Sequence, residues 1–158
     1  MLEEMEEANA ANWKERILEA KRLVVVEFWH PFCPHCQAVK PVYDELAAEY
    51  GDKLKFTKLN VVDSTENKQL AGKYGVMGTP TFLFFCGGRP VNGVVGALPK
   101  EDLAQAIEFT INKHEDCTKK STPPKVILHQ LAVQKLTDCL KKSEDYVLEN
   151  LGTTKRRK

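Results

Sequence analysis

The chain has 158 residues, enough for one domain of ordinary size with a short extension but too few for two full domains. Apolar residues account for 42% and charged residues for 28% of the sequence, a balance that excludes wholesale disorder and fibrous repeats. Its 23 Lys and Arg nearly cancel its 22 Asp and Glu, and the net charge of +1 excludes a surface built as a whole to hold nucleic acid.

The N-terminal residues Met1-Leu-Glu-Glu-Met-Glu-Glu are acidic and lack the basic start and the apolar stretch of a secretory signal. No run in the chain approaches the ~18 consecutive apolar residues that a membrane-spanning helix needs. We therefore expect a cytoplasmic protein that does not bind membranes.

The first predicted elements are a helix over residues 8–22 and a strand over residues 23–29. In the helix, Trp13, Ile17 and Leu18 recur at roughly helical spacing. The strand, Leu-Val-Val-Val-Glu-Phe-Trp, is short, continuous and rich in β-branched residues, which is typical of a central strand covered on both faces.

A second helix is predicted over residues 34–50, where apolar residues again recur at helical spacing. Pro41 should kink this helix because it lacks a backbone N–H. A strand over residues 54–62 and a helix over about 65–74 follow it.

The last elements of the main domain are a β-hairpin and a helix. Residues 81–86 and 91–96 are apolar segments joined through a Gly-Gly turn, and Pro99 suits the first position of a helix that runs to about Ile111. The order α-β-α-β-α-β-β-α predicts an α/β fold with a mixed four-stranded sheet flanked by helices.

The composition changes after residue 114. We predict a main domain over residues 1–114, a polar, proline-marked linker over 115–125, and a helical extension over 126–158 that ends in the basic tail Lys155-Arg-Arg-Lys. An extension of this length cannot form a core of its own, so it must pack on the main domain, on a second copy or on a partner. The oligomeric state does not follow from the sequence.

The pattern Cys33-Pro34-His35-Cys36 lies between a predicted buried strand and a predicted helix, where Cys-x-x-Cys is typical of a redox pair. Two intervening residues in the first helical turn bring the sulfur atoms close enough to bridge, and the helix N-terminus stabilises a thiolate at Cys33. The Cys33 thiolate would attack a substrate disulfide, and Cys36 would resolve the mixed disulfide. The competing interpretation is half of a zinc site, but no second ligand pair has suitable spacing.

Five segments, in the same order, resemble those of the thioredoxin superfamily, and the resemblance covers about residues 12–113. They are the active-site strand and loop at 26–36, the helix-kinking Pro41, the strand that carries Lys58, the segment 74–81 with Pro80, and the glycine-containing turn at 95–98. The resemblance implies a thioredoxin-like fold in which Pro80 follows a cis peptide bond. It also implies a thiol–disulfide oxidoreductase without a cofactor, acting on protein disulfides or dithiols and coupled to an unidentified partner reductase or oxidase.

Glu27 stands six residues before Cys33, where thioredoxins usually carry Asp, and a Glu there resembles the catalytic domains of protein disulfide isomerases. Burial in an apolar strand should raise the pKa of this carboxyl unless Lys58 compensates, and a raised pKa suits a proton acceptor for Cys36. The alternative is an edge glutamate that faces solvent.

The residues between the two cysteines leave the direction of electron flow open. Pro34-His35 resembles the periplasmic disulfide oxidases, and His35 beside the thiolate would favour the ionised sulfur of Cys33. Thr79 is more similar to the isomerases than to thioredoxin, whereas the expected cytoplasmic setting favours a reductase. A different class of function is a thioredoxin-fold binding module that recruits a partner through its C-terminal helices.

The residues expected to receive an extended protein substrate surround Cys33 in the resemblance. They are Phe32, Gly78, Thr79, Pro80, Gly96 and Ala97, whose backbone would pair with the substrate strand.

Three further cysteines lie outside the redox pair. Cys86 ends a predicted buried strand and is expected to be a small apolar core residue. Cys117 and Cys139 could bridge to each other, but free thiols are expected in a reducing cytosol.

Overall fold

The structure, a computed structural model, describes residues 5–118. In chain order the elements are β1 (Glu6–Glu7), a π-helix (Lys14–Leu18), β2 (Val24–Trp29), α1 (Pro34–Tyr50), β3 (Lys55–Asn60), α2 (Thr65–Lys73), β4 (Thr81–Cys86), β5 (Arg89–Val95), α3 (Lys100–Lys113) and a 3-10 helix (Glu115–Thr118). The helical extension predicted for 126–158, its basic tail and Cys139 lie outside the described residues.

The strands form one mixed sheet in the order β1-β3-β2-β4-β5. Strands β1, β3 and β2 run parallel, and β4 and β5 complete the sheet as an antiparallel hairpin. The predicted mixed α/β sheet is confirmed. Within residues 5–118 the sheet has five strands rather than four, because Glu6 and Glu7 pair with Thr57 and Lys58 of β3.

The two-residue strand β1 is held by charge as well as by backbone pairing. The carboxylate of Glu6 contacts the guanidinium of Arg16, and its second oxygen lies 2.6 Å from Nζ of Lys55. Acidic residues are depleted in strands, so the sequence pattern gave no sign of pairing here. At the opposite edge of the sheet, β5 contains Pro90, which has no backbone N–H to donate.

The prediction of a helix over residues 8–22 is wrong in its length. Among these residues the helical segment is Lys14–Leu18, and it is a π-helix. The side chains of Asn9 and Asn12 explain the late start. Each amide oxygen accepts a hydrogen bond from the other residue's backbone N–H, at 2.7 and 3.0 Å. Asparagine side chains that bond to the local backbone compete with helix formation in this way.

The core consists of two apolar layers, one on each face of the sheet. One layer joins Tyr43 and Leu46 of α1 to Leu103 and Ile107 of α3. The other joins residues of the π-helix and α2 to alternate residues of the sheet, among them Trp13, Ile17, Ala71, Val24, Val26 and Phe28. Strand β2 is therefore covered on both faces, as its sequence predicts, and delivers its C-terminal end to the start of α1.

The prediction that Cys86 is a small apolar core residue is wrong, because Cys86 forms a disulfide with Cys117 across a sequence separation of 31. Both residues still pack with the layer between the sheet and helices α1 and α3. The 3-10 helix that carries Cys117 occupies the first residues of the predicted linker. Cys117 is neither free nor bonded to Cys139.

Within residues 5–118, no helix combines the length and the apolar character that crossing a membrane requires.

Candidate active site

Cys33 is the N-cap residue of α1, directly after the loop that leaves β2. Its Sγ accepts a hydrogen bond from the backbone N–H of Cys36 at 3.1 Å, which satisfies one of the unpaired donors of the first helical turn. Pro34 occupies the first position of α1, where a missing N–H costs nothing. The sequence Cys-Pro-His-Cys thus builds a helix start that points amide donors at a sulfur atom.

The two thiols, both free in the structure, differ in acidity. Burial opposes ionisation of Cys33, but hydrogen bonds from the Cys36 thiol and from the backbone amides of Cys36 and His35 outweigh it and lower the pKa of Cys33. Burial and the hydrogen bond to Cys33 raise the pKa of Cys36 to about 11. Cys33 is therefore the thiol that ionises first, and Cys36 keeps its proton.

Glu27 lies inside the central strand β2, with Lys58 of β3 and Phe82 of β4 as its lateral neighbours. Its side chain is only 5% exposed, so the alternative of a solvent-facing edge glutamate is wrong. Burial raises the pKa of Glu27 to about 7, while Lys58 opposes this shift. The Nζ atom of Lys58 also lies 5.0 Å from the ring centre of Trp29, the last residue of β2.

Glu27 gives the folded chain a dependence on pH, and we expect Glu27→Gln to stabilise it above pH 7. Below pH 4.5, the ordinary pKa, the carboxyl is protonated in both the folded and unfolded states. From there to about pH 7 only the unfolded state releases the proton, so the free energy of unfolding falls as pH rises, by about 3 kcal/mol in total.

Urea unfolding of Glu27→Gln and the parent at pH 4 and pH 8 measures this difference. The variant should gain up to about 3 kcal/mol at pH 8 and almost nothing at pH 4. Exposed Glu15 offers a matched control, and Glu15→Gln should unfold like the parent at both pH values. An equal gain for Glu27→Gln at both pH values would contradict the assigned burial cost.

The structure brings several residues of the predicted substrate surface together around Cys33. The Cys33 thiol lies 3.5 Å from the carbonyl oxygen of Thr79, and the Thr79–Pro80 peptide bond is cis. Gly96 joins them because its N–H donates to the carbonyl of Pro80 at 2.8 Å. Its φ of 100° is one that a residue with a side chain rarely adopts. Phe32 is 83% exposed beside Cys33.

Gly78 and Ala97, the remaining members of that predicted surface, are exposed next to Thr79 and Gly96. Two neighbours that the sequence pattern did not single out are also exposed. Met77 is 99% exposed and Val95 is 69% exposed. Each is an apolar residue directly beside a glycine of the predicted substrate surface, and this position in the sequence could have identified both.

His30, to which the sequence pattern assigns no role, shapes the loop before Cys33. Its Nδ1 accepts a hydrogen bond from the backbone N–H of Phe32 at 3.2 Å, and its carbonyl accepts one from Cys33 at 3.2 Å. His35, by contrast, is exposed on the first turn of α1. His30 is therefore the histidine that orders the active-site loop.

The zinc alternative gains no support, since no group of three or more His, Cys, Asp or Glu side chains is placed to hold a metal ion within residues 5–118.

Several thioredoxins are similar to this chain. The chloroplastic M-type thioredoxin of Chlamydomonas reinhardtii is 40% identical over 109 residues, covering 67% of this chain and 76% of the relative. Thioredoxin 1 of Nostoc sp. is 42% identical over 98 residues, 62% of this chain and 89% of the relative. The chloroplastic M-type thioredoxin of Pisum sativum is 39% identical over 105 residues, 66% of this chain and 59% of the relative.

These relatives overturn the expectation of a cytoplasmic location. Two of the three are chloroplastic proteins, and the third comes from a cyanobacterium. The expectation rested on the absence of a secretory signal, which says nothing about plastids.

The family comparison agrees with the geometry of the site. A family model described as Thioredoxin matches residues 4–109, a range that starts just before β1 and ends within α3. It includes the mixed sheet, Cys33 and Cys36 at the start of α1, buried Glu27 and the loop of Thr79. The chain belongs to the thioredoxin family and is a thiol–disulfide oxidoreductase.

Proposed function

We propose that this chain is a reductase of protein disulfides that works through Cys33 and Cys36. The observation that carries the disulfide chemistry is the N-cap geometry of Cys33, whose Sγ accepts a hydrogen bond from the Cys36 N–H at 3.1 Å at the start of α1. A thiolate is the nucleophile in disulfide exchange. The thiol with the lower pKa therefore attacks the substrate first, and the protonated thiol reacts in the second step. The pKa of Cys33 is lowered because its sulfur accepts hydrogen bonds at the start of α1.

In the first step the Cys33 thiolate attacks one sulfur of a substrate disulfide, and the other substrate sulfur leaves as a thiolate. In the second step Cys36 loses its proton and attacks Cys33, which releases the reduced substrate. The substrate disulfide gains two electrons, and Cys33 and Cys36 end as a disulfide. A partner reductase that donates two electrons would restore the dithiol.

Glu27 is the proposed acceptor of the Cys36 proton. A base works best when its pKa lies near the working pH, and burial raises the pKa of Glu27 to about 7. Lys58 is the proposed modulator, since its positive charge keeps this pKa from rising further. Both residues lie side by side in the centre of the sheet.

The substrate would lie as an extended segment against the loop of Thr79 and the turn of Gly96. The Thr79 carbonyl, which lies 3.5 Å from the Cys33 thiol, would pair with a substrate backbone. Exposed Phe32 and Met77 would supply apolar contact area beside the reacting sulfur. Specificity among protein substrates would then come from these two side chains.

Three features are similar to isomerases and oxidases rather than to thioredoxin: Glu27, Thr79 and the Pro34-His35 pair. The relatives named thioredoxin favour the reductase, and those named chloroplastic favour a plastid as its location. The binding-module alternative relies on the predicted C-terminal helices, which lie outside the described residues.

The reduction potential of the Cys33/Cys36 couple tests the direction. We expect a value near the thioredoxin potential of about −270 mV, measured by equilibration with a glutathione redox buffer. A value near the disulfide isomerase potential of about −180 mV would refute the reductase, because the difference corresponds to about 4 kcal/mol of reducing power. The variant Cys86→Ser, Cys117→Ser removes the other disulfide from the measurement.

A further inference from the structure

The disulfide Cys86–Cys117 has no part in the proposed reduction of substrates. Cys86 is the last residue of β4 and is buried, whereas Cys117 lies partly exposed on the 3-10 helix. The greater exposure of Cys117 favours attack by a thiolate at this residue rather than at Cys86.

The chain's own Cys33 cannot reach this disulfide. Thr81 at the start of β4 pairs with Phe28, near the end of β2 that leads to the active site, whereas Phe85 pairs with Val24 at the other end. Five residue steps of about 3.4 Å place Cys86 about 17 Å along β4 from Thr81. A dithiol that exchanges with this disulfide must come from another molecule.

The 3-10 helix is tied covalently to β4 by the disulfide. Its backbone bonding is local, with Cys117 donating to the carbonyl of His114 at 2.9 Å. Beside the start of this helix a cavity of about 280 Å³ is lined by Leu23, Asp52, Lys53, Ile111, His114 and Glu115. A helix of four residues has few backbone hydrogen bonds of its own, so a covalent bond to β4 contributes to its position.

We propose that Cys86–Cys117 is a redox switch, opened by the Cys33/Cys36 dithiol of a second copy of this chain, that releases the 3-10 helix from β4. The proposal rests on the reductase function proposed above, because that function supplies the electrons.

The exchange balances in two steps. The Cys33 thiolate of one copy attacks Sγ of Cys117 in the other, the Cys86–Cys117 bond breaks, and the Cys86 thiolate takes a proton from solvent. Cys36 of the attacking copy gives up its proton and attacks its own Cys33, and the released Cys117 thiolate is protonated. Two electrons pass from one dithiol to one disulfide. The Cys86 thiolate is a poor leaving group because its apolar surroundings disfavour the charge. The Cys86–Cys117 disulfide should therefore be reduced more slowly than an exposed disulfide.

Two full-length variants separate donor from acceptor in the test. The acceptor carries Cys33→Ser and Cys36→Ser and keeps its oxidised disulfide, and the donor carries Cys86→Ser and Cys117→Ser and is kept reduced by a small dithiol. Differential alkylation with mass spectrometry follows Cys86 and Cys117 of the acceptor. We expect a catalytic amount of donor to speed the opening at least about tenfold over a donor that also carries Cys33→Ser. If the donor does not accelerate the opening, the proposal is overturned.

A donor that also carries Cys36→Ser identifies the sulfur that is attacked. It should accumulate a mixed disulfide between its Cys33 and Cys117 of the acceptor, and a bond to Cys86 instead contradicts the proposed route. Hydrogen exchange at Glu115–Thr118 of the acceptor should rise when the disulfide is reduced. Unchanged exchange refutes the release of the helix.

Insulin reduction by the same donor distinguishes the two proposals. A donor that reduces insulin but not the acceptor refutes the switch alone. A donor that reduces neither refutes the reductase function and the switch together.

Discussion

Replacement of Cys33 by serine is expected to lower the rate of disulfide reduction at least about 1000-fold, because a hydroxyl cannot form the mixed disulfide on which both steps depend. The N-terminus of α1 stays capped in this variant, because serine is a favourable N-cap residue. The loss should therefore appear in turnover and not in the free energy of unfolding. Insulin reduction at pH 7 with a dithiol as electron source measures it.

Two other cysteine variants make the result specific. Cys139→Ser keeps both cysteines of the proposed pair and should leave the rate unchanged. Cys36→Ser should attack normally but accumulate the mixed disulfide, because the resolving thiol is missing. Substantial reductase activity in Cys33→Ser would mean that another thiol is the nucleophile.

The second large effect concerns stability: loss of the Cys86–Cys117 disulfide is expected to lower the free energy of unfolding by about 3–4 kcal/mol. The bond closes a loop across a sequence separation of 31, and opening such a loop returns conformational entropy to the unfolded chain. Urea unfolding of Cys86→Ser, Cys117→Ser against the oxidised parent measures the difference as a lower midpoint.

The single variant Cys117→Ser should lose nearly as much stability as the double variant, since either change removes the same bond. It also leaves Cys86 in place and so separates the loss of the bond from the loss of packing at β4. A double variant as stable as the oxidised parent would show that the bridge does not constrain the unfolded chain.

The sequence was sufficient to predict those parts of the fold and the site that depend on local sequence pattern. A continuous apolar strand followed by Cys33-Pro34-His35-Cys36 predicts the strand end and the helix start, because both follow from period and capping. The apolar residues around Glu27 favoured its burial, but only the central position of β2 in the sheet excluded the solvent-facing alternative.

Other features depend on contacts between distant segments and could not be predicted. Cysteine spacing does not determine which cysteines pair, so the bond between Cys86 and Cys117 emerged only when the fold placed them together. Strand β1 exists because β3 offers an open edge, not because Glu6 and Glu7 favour extended structure. The π-helix is short because of asparagine side-chain bonds that helical periodicity does not register.

The two outer strands bear on aggregation. A sheet edge with a long row of unpaired amide and carbonyl groups can pair with the edge of a neighbouring molecule. On one side of this sheet the last strand is two glutamates long, and on the other β5 contains Pro90, which has no backbone N–H to donate. Short, charged or proline-bearing edges discourage such pairing. The folded domain should consequently stay monodisperse at concentrations where an open β3 edge would let molecules add to one another strand by strand.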